Sequence, residues 1–131
     1  MAEKITLATL PQATAQAVFD QAAEHLLTQN AKSRESDGAG HNLCRYRTLD
    51  GLACAAGCFV ADSELCQIQE GKVWPTLHAQ GRVPTQHASL IHRLQMVHDA
   101  SEVCEWPQKL RELARGQGLQ ASVVDRFERP A

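Results

Sequence analysis

The chain has 131 residues and a formal net charge of −2, from 13 basic and 15 acidic side chains. That is one domain's worth of chain, and surface scaling leaves roughly 6,800 Å² exposed of roughly 21,000 Å² unfolded, enough burial to hold a core without metal or disulfide staples. With 44% hydrophobic and 21% charged residues the composition excludes wholesale disorder; the near-neutral charge argues against direct nucleic-acid binding, and no apolar run approaches the ~18 residues of a membrane span.

The opening Met1-Ala2-Glu3-Lys4-Ile5-Thr6 lacks the apolar core of an export signal. Together with five cysteines, an odd number, this points to the reducing cytosol and to free thiols. Charge is mildly segregated, at −1 over 1–36, −3 over 37–70 and +2 over 71–131. That split is too weak to name a polyanionic partner.

Residues 4–8 alternate and read as a short extended segment. Thr9 and Gln12 resemble a capping box, with Pro11 in the first turn, and Ala15, Val18, Phe19, Ala22 and Leu26 recur at helical spacing. A helix is predicted over 10–29. The polar, glycine-bearing stretch 30–42 reads as a loop. Residues 43–48 read as a strand, Asp50-Gly51 as a hairpin turn, and 52–60 as a second strand passing into a helical turn, so that 43–60 forms one hairpin motif. Asp62 and Ser63 suit a short helix reaching Cys66. Trp74-Pro75 opens a helical turn ended by Gly81. Ala88, Leu90, Ile91, Leu94 and Val97 mark a helix over 84–98; Trp106-Pro107, Leu110, Leu113 and Ala114 mark another over 106–115, stopped by Gly116 or Gly118. Residues 122–127 add a terminal turn. The expected fold is a single α+β domain spanning 1–131, mainly α, with three to four helices around one central β-hairpin.

The stretch Cys44-x-Tyr46-Arg47-x3-Gly51-x2-Cys54-Ala55-x-Gly57, followed by Asp62, Glu64 and Glu70-Gly71, resembles a family of small phage, prophage and proteobacterial proteins that carry no assigned activity. The similarity extends to Val18-Phe19-Asp20-Gln21, to Leu94-Gln95-x-Val97-His98-Asp99 and to Trp106-Pro107-x2-Leu110. Where relatives have a Tyr after the acidic pair, this chain has Leu65. The resemblance implies a bacterial cytosolic setting and a phage-related role.

Several residues carry candidate chemistry. His41, Cys44, Cys54 and Cys58 form formally a Cys3His set, one imidazole and three thiols flanking a hairpin. Whether they meet depends on register. A two-residue Asp50-Gly51 turn pairs residues summing to 101 and sets Cys44 and Cys54 on opposite faces, whereas a three-residue loop shifts the sum to 100 and puts them on one face. The competing reading is of small buried thiols packing a hairpin onto helices, with no metal or other cofactor. Cys54, flanked by Gly51 and Gly57, is the candidate for a thiolate nucleophile. His98-Asp99 offers a base and an orienter, but adjacent helical residues point about 100° apart and are not expected to orient each other. None of the six histidines lies at i, i+4 to another, so no helical metal pair exists. Arg45, Tyr46 and Arg47 are the candidate binding residues, read either as an anion contact or as a brace in which one Arg pairs with Asp50, Asp62 or Glu64. Trp74 and Trp106 read as core anchors at helix starts.

With no phosphate loop, paired carboxylates or recognition helix, the leading expectation is a non-enzymatic accessory protein. It would bind a bacterial host or defence protein, an anti-defence inhibitor being one instance. The alternatives are a binder of a small anionic ligand through Arg45 and Arg47, and a cysteine-dependent enzyme at Cys54.

Overall fold

The computed structural model describes residues 4–36 and 42–127. Its elements are mainly helical. Helix α1 spans Ala15–Gln29, α2 Trp74–Ala79, α3 Ala88–Ala100, α4 Trp106–Gln117 and α5 Ser122–Asp125. Two three-residue strands, β1 (Arg34–Ser36) and β2 (Asn42–Cys44), pair antiparallel with Arg34 opposite Cys44. Helix α1 packs on α3, α4 and α5, and α3 packs on α2 and α4.

Helix α1 begins later than its sequence suggests. Leu10–Gln12 form a separate 3-10 turn, and the N-cap is Thr14, whose hydroxyl accepts from Ala17 N at 3.1 Å. The Thr9 hydroxyl caps backwards, accepting from Thr6 N at 2.9 Å, so the predicted capping box does not form. The buried stripe Val18, Phe19, Ala22, Ala23 and Leu26 follows the predicted face. Helices α3 and α4 carry the expected stripes, shifted by a few residues at their ends. Trp74 and Trp106 are fully buried, as anchors should be. Residues 4–8 form no strand. Instead Ile5 and Leu7 are buried in the core, and the buried Glu64 carboxylate accepts from Leu7 N (3.0 Å), Ala8 N (3.0 Å) and Ala61 N (2.9 Å).

The central hairpin expected over 43–60 is the main correction. The strand pair is displaced toward the N-terminus: β1 lies in the stretch read as the 30–42 loop, where Arg34-Glu35-Ser36 has no apolar alternation to announce it, and β2 overlaps the predicted 43–48 strand only at Leu43 and Cys44. Across Asp50-Gly51 only one bridge forms, Arg47 with Ala53. Thr48 N donates to Leu52 O at 2.8 Å, and Gly51 N donates to Thr48 O at 3.0 Å. The turn is therefore the three-residue loop Leu49-Asp50-Gly51, with Gly51 at φ +89°, the left-handed position such loops assign to glycine. Beyond the bridge the chain curls into a 3-10 turn, Gly57–Phe59. The reason is steric: Ala55, Ala56 and Gly57 are small and buried, and Gly57 sits so close to Tyr46 that a Cβ there would lie 2.0 Å from the Tyr46 carbonyl oxygen.

Candidate functional site

The motif residues converge on a brace. Tyr46 N and Arg47 N donate to the two oxygens of Glu70, at 2.8 and 3.1 Å. The buried Tyr46 ring meets Trp74 edge-on at 6.1 Å, and its hydroxyl donates to Lys72 O at 2.5 Å; burial pushes this phenol well above its ordinary range. Arg47 donates to Val60 O at 2.8 Å and pairs with Asp62 at 2.5 Å. Arg45 Nε lies 3.6 Å from the Glu35 carboxylate. The bracing reading of Arg47 is the one the geometry supports, and it falls to Asp62. Neither guanidinium is left without a carboxylate, and Tyr46 faces the core, so these three residues do not assemble an anion pocket.

The four metal candidates do not converge among the described residues. His41 lies outside them. The register is the 100 sum that sequence alone left open, yet Cys44 and Cys54 are not brought together, because the ladder ends at Arg47–Ala53 and Cys44 is paired with Arg34. Cys54 is 1% exposed, and its sulfur accepts from Gly57 N at 3.3 Å. Burial pushes its thiol far above the ordinary range. Cys58 donates to Ala55 O at 3.1 Å, and burial raises it to about 12. A thiol so placed lacks the thiolate that nucleophilic catalysis needs.

A cluster that the sequence did not reveal lies at the end of α3. Cys44, His98 and Asp99 place their ligand atoms within 4.8 Å of one another. Contrary to the helical-wheel expectation, His98 Nδ1 and Asp99 Oδ1 are 2.7 Å apart at the end of α3. Buried His98 stacks on Trp106 at 5.6 Å, and its Nε2 accepts from Ser33 N at 2.9 Å. A backbone N–H can only donate, so Nε2 is bare and Nδ1 carries the proton that Asp99 receives. Neither nitrogen then has a lone pair to offer a metal or to act as a base without breaking one of these bonds. Asp99 also accepts from Gln95 Nε2 at 2.8 Å, and Gln95 Oε1 accepts from Ala56 N at 3.0 Å. Burial alone would raise the Asp99 carboxyl, but the bonds from His98, Cys44 and Gln95 outweigh it and hold it below the ordinary range. Burial raises the Cys44 thiol. Ser33 completes the knot by donating to Arg45 O at 2.6 Å. The cluster joins α3, β2, Ser33 just ahead of β1, and the 45–56 segment as a structural clamp.

Two surface features remain. Leu49, at the tip of the 48–52 turn, is 96% exposed. Its backbone is not loose: Leu49 N donates to Glu35 at 2.8 Å, and Leu52 N donates to the Thr48 hydroxyl at 2.9 Å. The second feature is an open groove of about 730 Å³ along α1. Among the described residues no helix is long and apolar enough to cross a membrane. Comparison with family models, with curated proteins and with solved structures finds no match to this chain.

Proposed function

We propose that the chain is a non-enzymatic accessory protein of phage or prophage type, acting in the bacterial cytosol by binding a host or defence protein through the 48–52 turn. The observation that carries this reading is Leu49, a leucine 96% exposed on a hydrogen-bonded turn. With its backbone already anchored, a large apolar side chain in water leaves little main-chain ordering to be done on docking and gains its burial only in a partner's pocket. Exposed Asp50 beside it has no ion-pair partner among the described residues, and the flanking Arg45 and Arg47 are each paired with a carboxylate. The motif resemblance supplies the phage setting, an anti-defence inhibitor being one form the activity takes.

The two alternatives have less support. An anionic ligand would have to displace Glu35 from Arg45 and Asp62 from Arg47. A cysteine enzyme would need a thiolate at Cys54, where burial opposes it. Affinity capture from bacterial lysate with the wild-type chain and with Leu49→Asp tests the proposal. The expected result is a stoichiometric protein partner held by the wild type and lost from the folded variant. A partner held equally by both would overturn the assignment to the turn.

A further inference from the structure

We infer that the groove along α1 is a binding site for a small amphipathic organic cation. The α1 residues lining it include Ala17, Asp20, Gln21, Glu24, His25 and Thr28, spaced by threes and fours as one helical stripe, and Ile5 and Cys58 line it as well. Its volume of about 730 Å³ lies within the ~300–1,000 Å³ typical of small-molecule sites.

The ligand class follows from which polar groups are already committed. Gln21 is used up on backbone: it donates to Ile5 O (2.9 Å) and Cys58 O (3.1 Å) and accepts from Ile5 N (2.7 Å). Gln29, also on the wall, accepts from Ala53 N at 3.0 Å and donates to Ala53 O at 2.9 Å and Ala31 O at 2.7 Å. His25 Nε2 lies 2.7 Å from Ala53 O. A carbonyl only accepts, so Nε2 carries the hydrogen and Nδ1 is left as a bare acceptor. Burial lowers the His25 pKa, which keeps the ring neutral.

What remains for a ligand is rich in acceptors. Half-buried Asp20 accepts only from the neutral amide of Gln16, at 2.9 Å, and has no cationic partner among the described residues. Glu24 pairs with Arg126 at 3.7 Å, but both side chains are 59% exposed, and such pairs are weak. Lys4 is the one cation on the wall. Two carboxylates and the His25 ring thus line a groove shared with apolar Ile5 and Ala17. The complementary molecule carries an ammonium group that donates to the carboxylates and an apolar body that covers Ile5 and Ala17. This is the opposite charge to the ligand that Arg45 and Arg47 suggest from sequence. The groove shares no residue with the 48–52 turn, so the two proposals stand or fall separately.

The test titrates the 15N-labelled full chain with phenethylamine, protonated at neutral pH, and with its neutral counterpart 2-phenylethanol, following backbone amide shifts. Phenethylamine should give saturable shifts confined to residues 17–29 and to Ile5 and Cys58, and the alcohol should bind about tenfold more weakly, the difference made by a charge-assisted hydrogen bond. Asp20→Asn keeps an acceptor for Gln16 and should weaken phenethylamine about tenfold; Glu24→Gln provides a second variant. Absence of saturable shifts, shifts scattered outside the groove, equal affinity for the alcohol, or undiminished affinity in both variants would each overturn the proposal.

Discussion

Replacing Gly57 by Ala sets a methyl carbon 2.0 Å from the Tyr46 carbonyl oxygen and 2.8 Å from its carbonyl carbon. Relief requires a backbone shift of more than an ångström, and Tyr46 is poorly placed to move. Its N–H is held by Glu70, its hydroxyl by Lys72 O, and its ring lies against Trp74. Overpacking a well-filled site costs about 1–3 kcal/mol, and a clash against pinned backbone belongs at the upper end, about 3 kcal/mol. For a chain of this size each kcal/mol moves the melting temperature by about 3–5 °C, so Gly57→Ala should melt about 10–15 °C below wild type. Circular dichroism melts, with urea denaturation to obtain the free energy, measure this directly. Gly116 is the matched control. It lies in α4, and nothing stands within 4 Å of where its Cβ would be. Gly116→Ala should therefore stabilise by about 0.5–1 kcal/mol through helix propensity. A Gly57→Ala melt within about 2 °C of wild type would refute the close-approach account.

Three further outcomes follow from the same geometry. Gly51→Val should destabilise by about 1–3 kcal/mol, since a β-branched residue is strained at the positive φ of the turn; an unchanged urea midpoint would mean that the turn can rebuild. Asp99 has a depressed folded pKa, so the stability it contributes is present above its unfolded pKa and is lost as pH falls through the folded value. The free-energy gap between wild type and Asp99→Asn should accordingly be widest above about pH 5 and close in more acid solution, and a gap that is constant with pH would contradict the clamp. Iodoacetamide with peptide mapping should label exposed Cys66 and Cys104 first, Cys44 more slowly, and Cys54 and Cys58 only in denaturant; rapid native labelling of Cys54 would revive the enzyme reading.

The helices were legible because their evidence is local. Val18, Phe19, Ala22 and Leu26 repeat at helical spacing, and Trp-Pro pairs mark the starts of α2 and α4. The β1–β2 pair was not, because Arg34-Glu35-Ser36 is held by backbone bonds to a strand six residues on, and its side chains carry no alternation. The hairpin is reduced to the single Arg47–Ala53 bridge, while the helical turn read into 52–60 is present as Gly57–Phe59; Ala55, Ala56 and Gly57 are buried, Gly57 directly against the Tyr46 carbonyl, a tertiary contact that no local pattern announces. His98 and Asp99 could be singled out by type, but their contact runs against the helical-wheel geometry of adjacent residues, and Cys44 reaches them across 54 residues of sequence. Leu49 did carry a signal. Turn positions favour Gly, Asn, Asp and Ser, and a leucine at a hairpin tip has little of its own chain to pack against.

The central claim is that Leu49 is the energetic centre of a protein-binding surface, and the direct measurement is the affinity of the captured partner for wild type and for Leu49→Ala by surface plasmon resonance. A central apolar anchor is worth at least about 2 kcal/mol, so Kd should rise about thirtyfold or more while the melting temperature stays unchanged, the side chain being 96% exposed in the free chain. A Kd within about threefold of wild type would contradict the claim, because an interface that does not register the loss of Leu49 is not centred on this turn.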